Sequence, residues 1–353
     1  VTKKRVLIID DSAFMRKMLT DLIQQDPELD VIGTARNGEE GVKKTLNLQP
    51  DVVTLDVEMP VLDGLSALRQ IMEQRPTPVV MLSSLTSDGA DSTIKALQLG
   101  AVDFINKPSG SISLDIDQIA TDIRKKVKQA ITANFNRYDV QKVNPIEVDV
   151  RDVQGKLPSF SYDETIVAIG VSTGGPKALE QLLTEIPKDF KASLLIVQHM
   201  PEKFTKSLAN RLNRLSPIHV KEATNGEIVK PGTAYIAPGN YHLTIRKIGR
   251  SLALSTEQNE PVRGHRPSVD VLFESLSTVD AINKVAVVLT GMGSDGTEGA
   301  KRLKAQGQTY LIAESQQTAL IYGMPKAVIE KVGVNLIVPI DRVAQSLVDV
   351  VNN

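Results

Sequence analysis

Short, largely apolar runs recur along this chain, each followed by a stretch of helix length. That alternation restricts the fold more than any other feature. In the N-terminal part the runs fall at 6–9, 52–55, 78–82 and 102–105; in the C-terminal part at 165–170, 193–198 and 285–290. Strands alternating with helices predict a parallel sheet covered on both faces. Consecutive apolar residues fit strands buried on both sides. After the first run, Phe14, Met18, Leu19, Leu22 and Ile23 predict the apolar face of a helix. The stretch 114–130 predicts a long helix ending in Arg124, Lys125, Lys126 and Lys128, charges that suit a helix C-terminus.

At 353 residues the chain has room for about two domains. Periodicity fades after the long helix, in a polar stretch with scattered valines. We therefore expect an α/β protein of two doubly wound parallel-sheet domains, 1–125 and 164–353. The linker between them, 126–163, is expected to dock in part through its valines. Between 217 and 256 short alternating segments with turn signals predict antiparallel hairpins inserted into the second sheet.

Composition narrows the function. There is no cysteine, which excludes disulfides, thiolate nucleophiles and zinc–cysteine sites. Basic residues number 41 and acidic ones 42, no electrostatic footprint for nucleic acid. No run approaches the ~18 apolar residues of a membrane span, and the charged start V-T-K-K-R does not read as a secretory signal. A cytoplasmic protein without membrane insertion is the expectation.

Two constellations carry chemistry. Asp10 and Asp11 end the first strand, Asp56 another, Ser83 the next, and Lys107 follows the last. All five fall at strand C-terminal ends, where open α/β sheets bind ligands. Any one aspartate there reads most simply as a helix cap. Three together repel unless a cation intervenes, and oxygen-only ligands favour Mg²⁺. Lys107 and Ser83 would then meet phosphoryl oxygens.

The second constellation begins at G-V-S-T-G-G-P (170–176), which satisfies G-x-S-x-G, a strand-to-helix turn exposing Ser172. Alone the match is weak, since a glycine-rich turn also cradles phosphate. Of four histidines, His219 and His242 fall inside strand-like segments and read as structural or exposed. His265 lies in a loop before a helix, and His199 directly follows the strand 193–198. The third strand opens into G-M-G-S-D-G, which sets Asp295 on the same rim. Serine, histidine and aspartate at three strand ends predict a triad, with Ser172 the nucleophile, His199 the base and Asp295 its orienting acid. Thr173 and the glycine-flanked Met292 are the candidate oxyanion-hole donors. The order Ser…His…Asp differs from that of α/β-hydrolases.

Residues 3–125, through V-L-I-I-D-D-S, T-L-D-V-E-M-P-V-L-D-G, V-V-M-L-S-S and N-K-P, resemble a response-regulator receiver domain. The resemblance implies that Asp56 accepts phosphate, that Asp10 and Asp11 hold Mg²⁺ with the backbone carbonyl of Glu58, and that Ser83 and Lys107 complete the switch. Residues 166–350, through G-V-S-T-G-G-P, V-Q-H-M-P, A-Y-I-A-P-G, H-R-P-S-V-D and L-T-G-M-G-S-D-G, resemble the catalytic domain of chemotaxis protein-glutamate methylesterases. That implies a phosphorylation-regulated hydrolase releasing methanol from glutamate methyl esters of chemoreceptors, with Ser172, His199 and Asp295 as its triad. Its implied partners are methylated chemoreceptors and a chemotaxis histidine kinase, with no nucleic acid. Ester hydrolysis itself calls for no cofactor, and deamidation of receptor glutamines is a second activity the resemblance leaves open. His265 would flank the site. Two alternatives stand beside this reading: a response regulator with a non-catalytic, protein-binding output, and an esterase or amidase for a small molecule.

Overall fold

The computed structural model describes residues 2–84, 86–107, 116–135, 151–152, 160–307 and 309–353. The chain divides into two compact units, Val1–Asn144 and Pro145–Asn353.

The first unit alternates β1 (Lys4–Ile9), α1 (Ala13–Gln24), β2 (Leu29–Ala35), α2 (Gly38–Leu48), β3 (Val52–Asp56), α3 (Gly64–Gln74), β4 (Val79–Ser83), α4 (Ser87–Leu99), β5 (Asp103–Asn106) and α5 (Ile116–Ile131). The strands are all parallel, in the order β2-β1-β3-β4-β5. Every residue of β3 and β4 is buried, as strands covered on both faces require. Four helices start on a side-chain cap: Ser12, Asn37, Asp63 and Thr86 each accept the N–H three residues on. These caps satisfy orphan donors at the helix N-termini.

Two expectations need correction. The buried face of α1 is Met15, Leu19, Leu22 and Ile23, whereas Phe14 is 59% exposed. The 15-19-22 spacing sets the packed stripe one residue round from Phe14. Helix α5 continues to Ile131, with Ile123, Val127 and Ala130 buried, so 126–131 is helix, not linker; its predicted start at 114 lies outside the described residues. The linker valines at 140, 143, 148, 150 and 153 also lie outside them. Between the last two of these valines, Arg151–Asp152 (β6) pairs antiparallel with Leu336 and Ile337.

The second unit continues with β7 (Thr165–Val171), α6 (Gly175–Glu185), β8 (Ser193–Gln198), α7 (Phe204–Leu215), β9 (His219–Glu222), β10 (Thr233–Ile236), β11 (His242–Ile248), β12 (Ser251–Glu257), α8 (Val269–Ser277), β13 (Asn283–Val288), α9 (Thr297–Ala305), β14 (Thr309–Glu314), α10 (Met324–Lys331), β15 (Leu336–Val338) and α11 (Ile340–Asn352). Its sheet has the order β6-β15-β14-β13-β7-β8-β10-β9, parallel apart from β6. The region 217–256 is only partly the antiparallel insertion expected. β9 and β10 extend the main sheet in parallel, and only β11 and β12 form an antiparallel pair. All of β10 is buried, which fits an internal strand. The crossover between β9 and β10 carries no helix; it lies along β12 through Gly226 N–H to Leu254 O and Val229 N–H to Leu252 O. A core of Leu195, Leu243, Leu254, Phe273, Ala286 and their neighbours fills the space between sheet, hairpin and α8.

Candidate active site and phosphoacceptor pocket

In the first unit, ligand oxygens of Asp10, Asp11 and Asp56 all lie within 4.8 Å of one another. Lys107 reaches over them, with Nζ 2.6 Å from Asp56 Oδ2 and 3.5 Å from Asp10 Oδ2. Burial pushes the Asp56 carboxyl up to about 6, against the opposing pull of Lys107. Burial raises Asp10 as well, partly offset by Lys107. Lys107 itself would be lowered by burial, but Asp56 and Asp10 outweigh that and raise it. Asp10 Oδ2 is enclosed, and its partner is the Lys107 ammonium at 3.5 Å. One lysine for three carboxylates leaves charge uncompensated, and this hard-oxygen set fits Mg²⁺. Glu58 is exposed, and its N–H donates to Asp56 Oδ1 at 3.3 Å. Ser83 is buried and turned towards α4: Thr93 Oγ1 donates to Ser83 Oγ at 2.6 Å, and Ser83 Oγ donates to Gly89 O at 3.2 Å. Sequence reading missed Thr93, whose contact arises only once α4 packs beside β4.

The second site lies on three adjacent strands, β8-β7-β13. Backbone pairing continues one step past the strand ends. His199 N–H donates to Val171 O at 3.2 Å, and Ser172 N–H to Thr290 O at 3.0 Å. Ser172 is thus held between the segment bearing His199 and the segment leading to Asp295. The chain then turns through Gly174, whose φ of 82° favours glycine, into α6. Gly291 allows the next loop to lie against the nucleophile: a Cβ there would sit 2.8 Å from Ser172 Cβ and 2.4 Å from Met324 Sδ. Thr173 is buried, and its carbonyl accepts from Thr290 Oγ1 at 2.9 Å.

His199 Nε2 and Asp295 Oδ2 are 2.7 Å apart. Asp295 is buried at the N-terminus of α8, where it accepts from Val269 N–H, Asp270 N–H, Gly296 N–H and Ser268 Oγ. Burial alone would raise this carboxyl, but the hydrogen bond and charge of His199 and the α8 amides outweigh it, holding the group far below the usual carboxylate range. An ionised carboxylate only accepts, so His199 Nε2 carries the proton. Whenever the ring is neutral its lone pair is then on Nδ1, which is buried without a hydrogen-bond partner. That is the state a general base needs.

His265 lies face to face with His199, ring centroids 4.0 Å apart and planes 4° from parallel. The other two histidines stand apart: His219 is exposed, and His242 is buried with Nε2 at Glu260 O. Several supporting residues escaped the sequence reading. Gln198 Nε2 donates to both Ser172 O and His199 O. Fully buried Glu314 accepts Thr290 N–H. Asp270 accepts Gly299 N–H, and burial raises its carboxyl, with the Asp295 charge adding to the rise. Ser268 carried one signal, its place before a helical pattern in H-R-P-S-V-D; the others needed the third dimension. Among the described residues, no helix is long and apolar enough to cross a membrane.

Residues 167–347 match the family described as CheB methylesterase, and residues 6–116 match the response regulator receiver domain. A protein-glutamate methylesterase/protein-glutamine glutaminase of Halalkalibacterium halodurans is 53% identical over 344 residues, covering 98% of this chain and 97% of that one. Its counterpart in Geobacillus kaustophilus is 51% identical over 351 residues, covering 98% of each. The crystal structure of the Thermotoga maritima CheB methylesterase catalytic domain is 40% identical, covers 53% of this chain and 98% of that one, and superposes with a TM-score of 0.51. Matched along nearly its whole length, the chain belongs to the receiver-bearing protein-glutamate methylesterase family.

Proposed function

We propose that the chain hydrolyses glutamate methyl esters on chemoreceptors through Ser172, His199 and Asp295, under control of phosphorylation at Asp56. The observation that carries this is the 2.7 Å His199–Asp295 contact on the strand ends flanking Ser172. Ser172 Oγ attacks the ester carbonyl while His199 Nδ1 takes its proton. Asp295 stabilises the imidazolium that forms. The N–H groups of Thr173 and Met292 would donate to the developing oxyanion. The tetrahedral adduct collapses, Nδ1 returns the proton to the methoxy group, and methanol leaves. Water, deprotonated by Nδ1, then attacks the acyl-serine; the adduct collapses, Nδ1 returns the proton to Ser172 Oγ, and the glutamate is freed with the serine restored. Glutamine would follow the same path, with ammonia as the leaving group.

In the first unit, Asp10, Asp11, Asp56 and the backbone carbonyl of Glu58 would hold Mg²⁺, which when bound offsets the charge of the phosphoryl group arriving on Asp56. Lys107 meets another phosphoryl oxygen as a point charge. Ser83 would have to turn from α4 to meet one. A histidine kinase or a small acyl phosphate would supply the phosphate.

Incubation with methyl-labelled receptor membranes should release labelled methanol. Hydrolysis of small methyl esters with none from the membranes would favour the small-molecule esterase instead.

A further inference from the structure

We infer that His265 is a positioning residue that sets the plane of the His199 ring and so aims Nδ1 at Ser172; this rests on the Ser172–His199–Asp295 reading. The hydrogen bond to Asp295 does not aim the ring by itself. In an imidazole the extended Cβ–Cγ axis passes between Cε1 and Nε2, so Nδ1 lies further from it than Nε2. Rotation about χ2 therefore carries Nδ1 through a wider arc than Nε2, and slack in the Asp295 contact is amplified at Nδ1. Such a torsion is intrinsically broad. A parallel ring at 4.0 Å, inclined by only 4°, removes that remaining freedom.

His265 is itself well held. Val262 N–H donates to His265 O at 3.1 Å, and His265 N–H to Val262 O at 2.9 Å, closing a tight turn. The next residue, Arg266, donates from Nη2 to Asn240 Oδ1 at 2.6 Å and from Nη1 to Asn259 O at 2.8 Å. The stack thus rests on a clamped loop. A planar side chain is what the stack on His199 demands. Small errors in placing a base lower the rate of chemistry without changing substrate affinity.

The test follows the rate at which a fluorophosphonate labels Ser172 in the full chain, alongside kcat and KM for methylated receptors and a thermal melt. His265→Ala should slow labelling and lower kcat by about tenfold or more, with KM within about twofold. His265→Phe, which restores a plane, should stay within about threefold of the unaltered protein, whereas His265→Leu, bulky but not planar, should resemble His265→Ala. If His265→Ala does not fold, the contrast between Phe and Leu decides alone. Labelling of His265→Ala at the unaltered rate, a His265→Phe as slow as His265→Leu, or a raised KM with kcat intact would each overturn the inference. An unaltered protein that takes no label at Ser172 would sink the triad reading, and the inference with it.

Discussion

Asp56 and Asp10 are two buried carboxylates held by one lysine, and the cost of charging them sets a stability prediction. The Asp56 carboxyl titrates near 6 in the folded chain against an ordinary value of 3.8. A raised folded value means that its stabilising contribution is complete below about 4 and is lost as pH rises through 6. A shift of about two units corresponds to roughly 2–3 kcal/mol. Without divalent cations, Asp56→Asn should therefore melt above the unaltered protein at pH 7.5, with the gap closing near pH 4. Added Mg²⁺ should raise the melting temperature of the unaltered protein more than that of Asp56→Asn. A gap independent of both pH and Mg²⁺ would contradict the pocket's electrostatics. At the other site, His199→Gln should lower Ser172 labelling and ester hydrolysis by about a thousandfold or more. Retention of either rate would remove His199 as the base.

At the scale of elements, the site depends on how closely the strand-end loops approach. Gly291 lies where a methyl group would strike both Ser172 Cβ and Met324 Sδ. Gly291→Ala should push the loop off the nucleophile and cut ester hydrolysis by about tenfold or more, while phosphorylation of Asp56 proceeds unchanged. Steady-state hydrolysis and phosphate incorporation on the same preparation check this. The strands leading to Ser172 and His199 could be read from sequence because they are largely apolar at consecutive positions and their chemistry begins within two residues of each run's end. The region 217–256 misled for the opposite reason. Short strands look alike whether paired parallel or antiparallel, and the helix that normally marks a parallel crossover is missing between β9 and β10. The turned hydroxyl of Ser83, the outward Phe14 and the His199–His265 stack depend on which neighbour packs where. No periodicity encodes that.

At the scale of the whole molecule, two motif sets in one chain tie phosphate chemistry to ester hydrolysis. A modification changes a rate only by stabilising one state over another, about tenfold for each 1.4 kcal/mol. A small acyl phosphate with Mg²⁺ should raise methanol release by the full chain severalfold, and Asp56→Asn should abolish the increase without lowering the basal rate. An equal increase in Asp56→Asn would place control elsewhere.

The central claim is that Ser172 performs the hydrolysis, and the most direct measurement compares labelled-methanol release from methylated receptor membranes by the unaltered chain and by Ser172→Ala. With no cysteine in the chain to substitute for the serine, the account predicts a loss of about a thousandfold or more, at an unchanged melting temperature. A folded Ser172→Ala protein that still releases methanol at a comparable rate would contradict it.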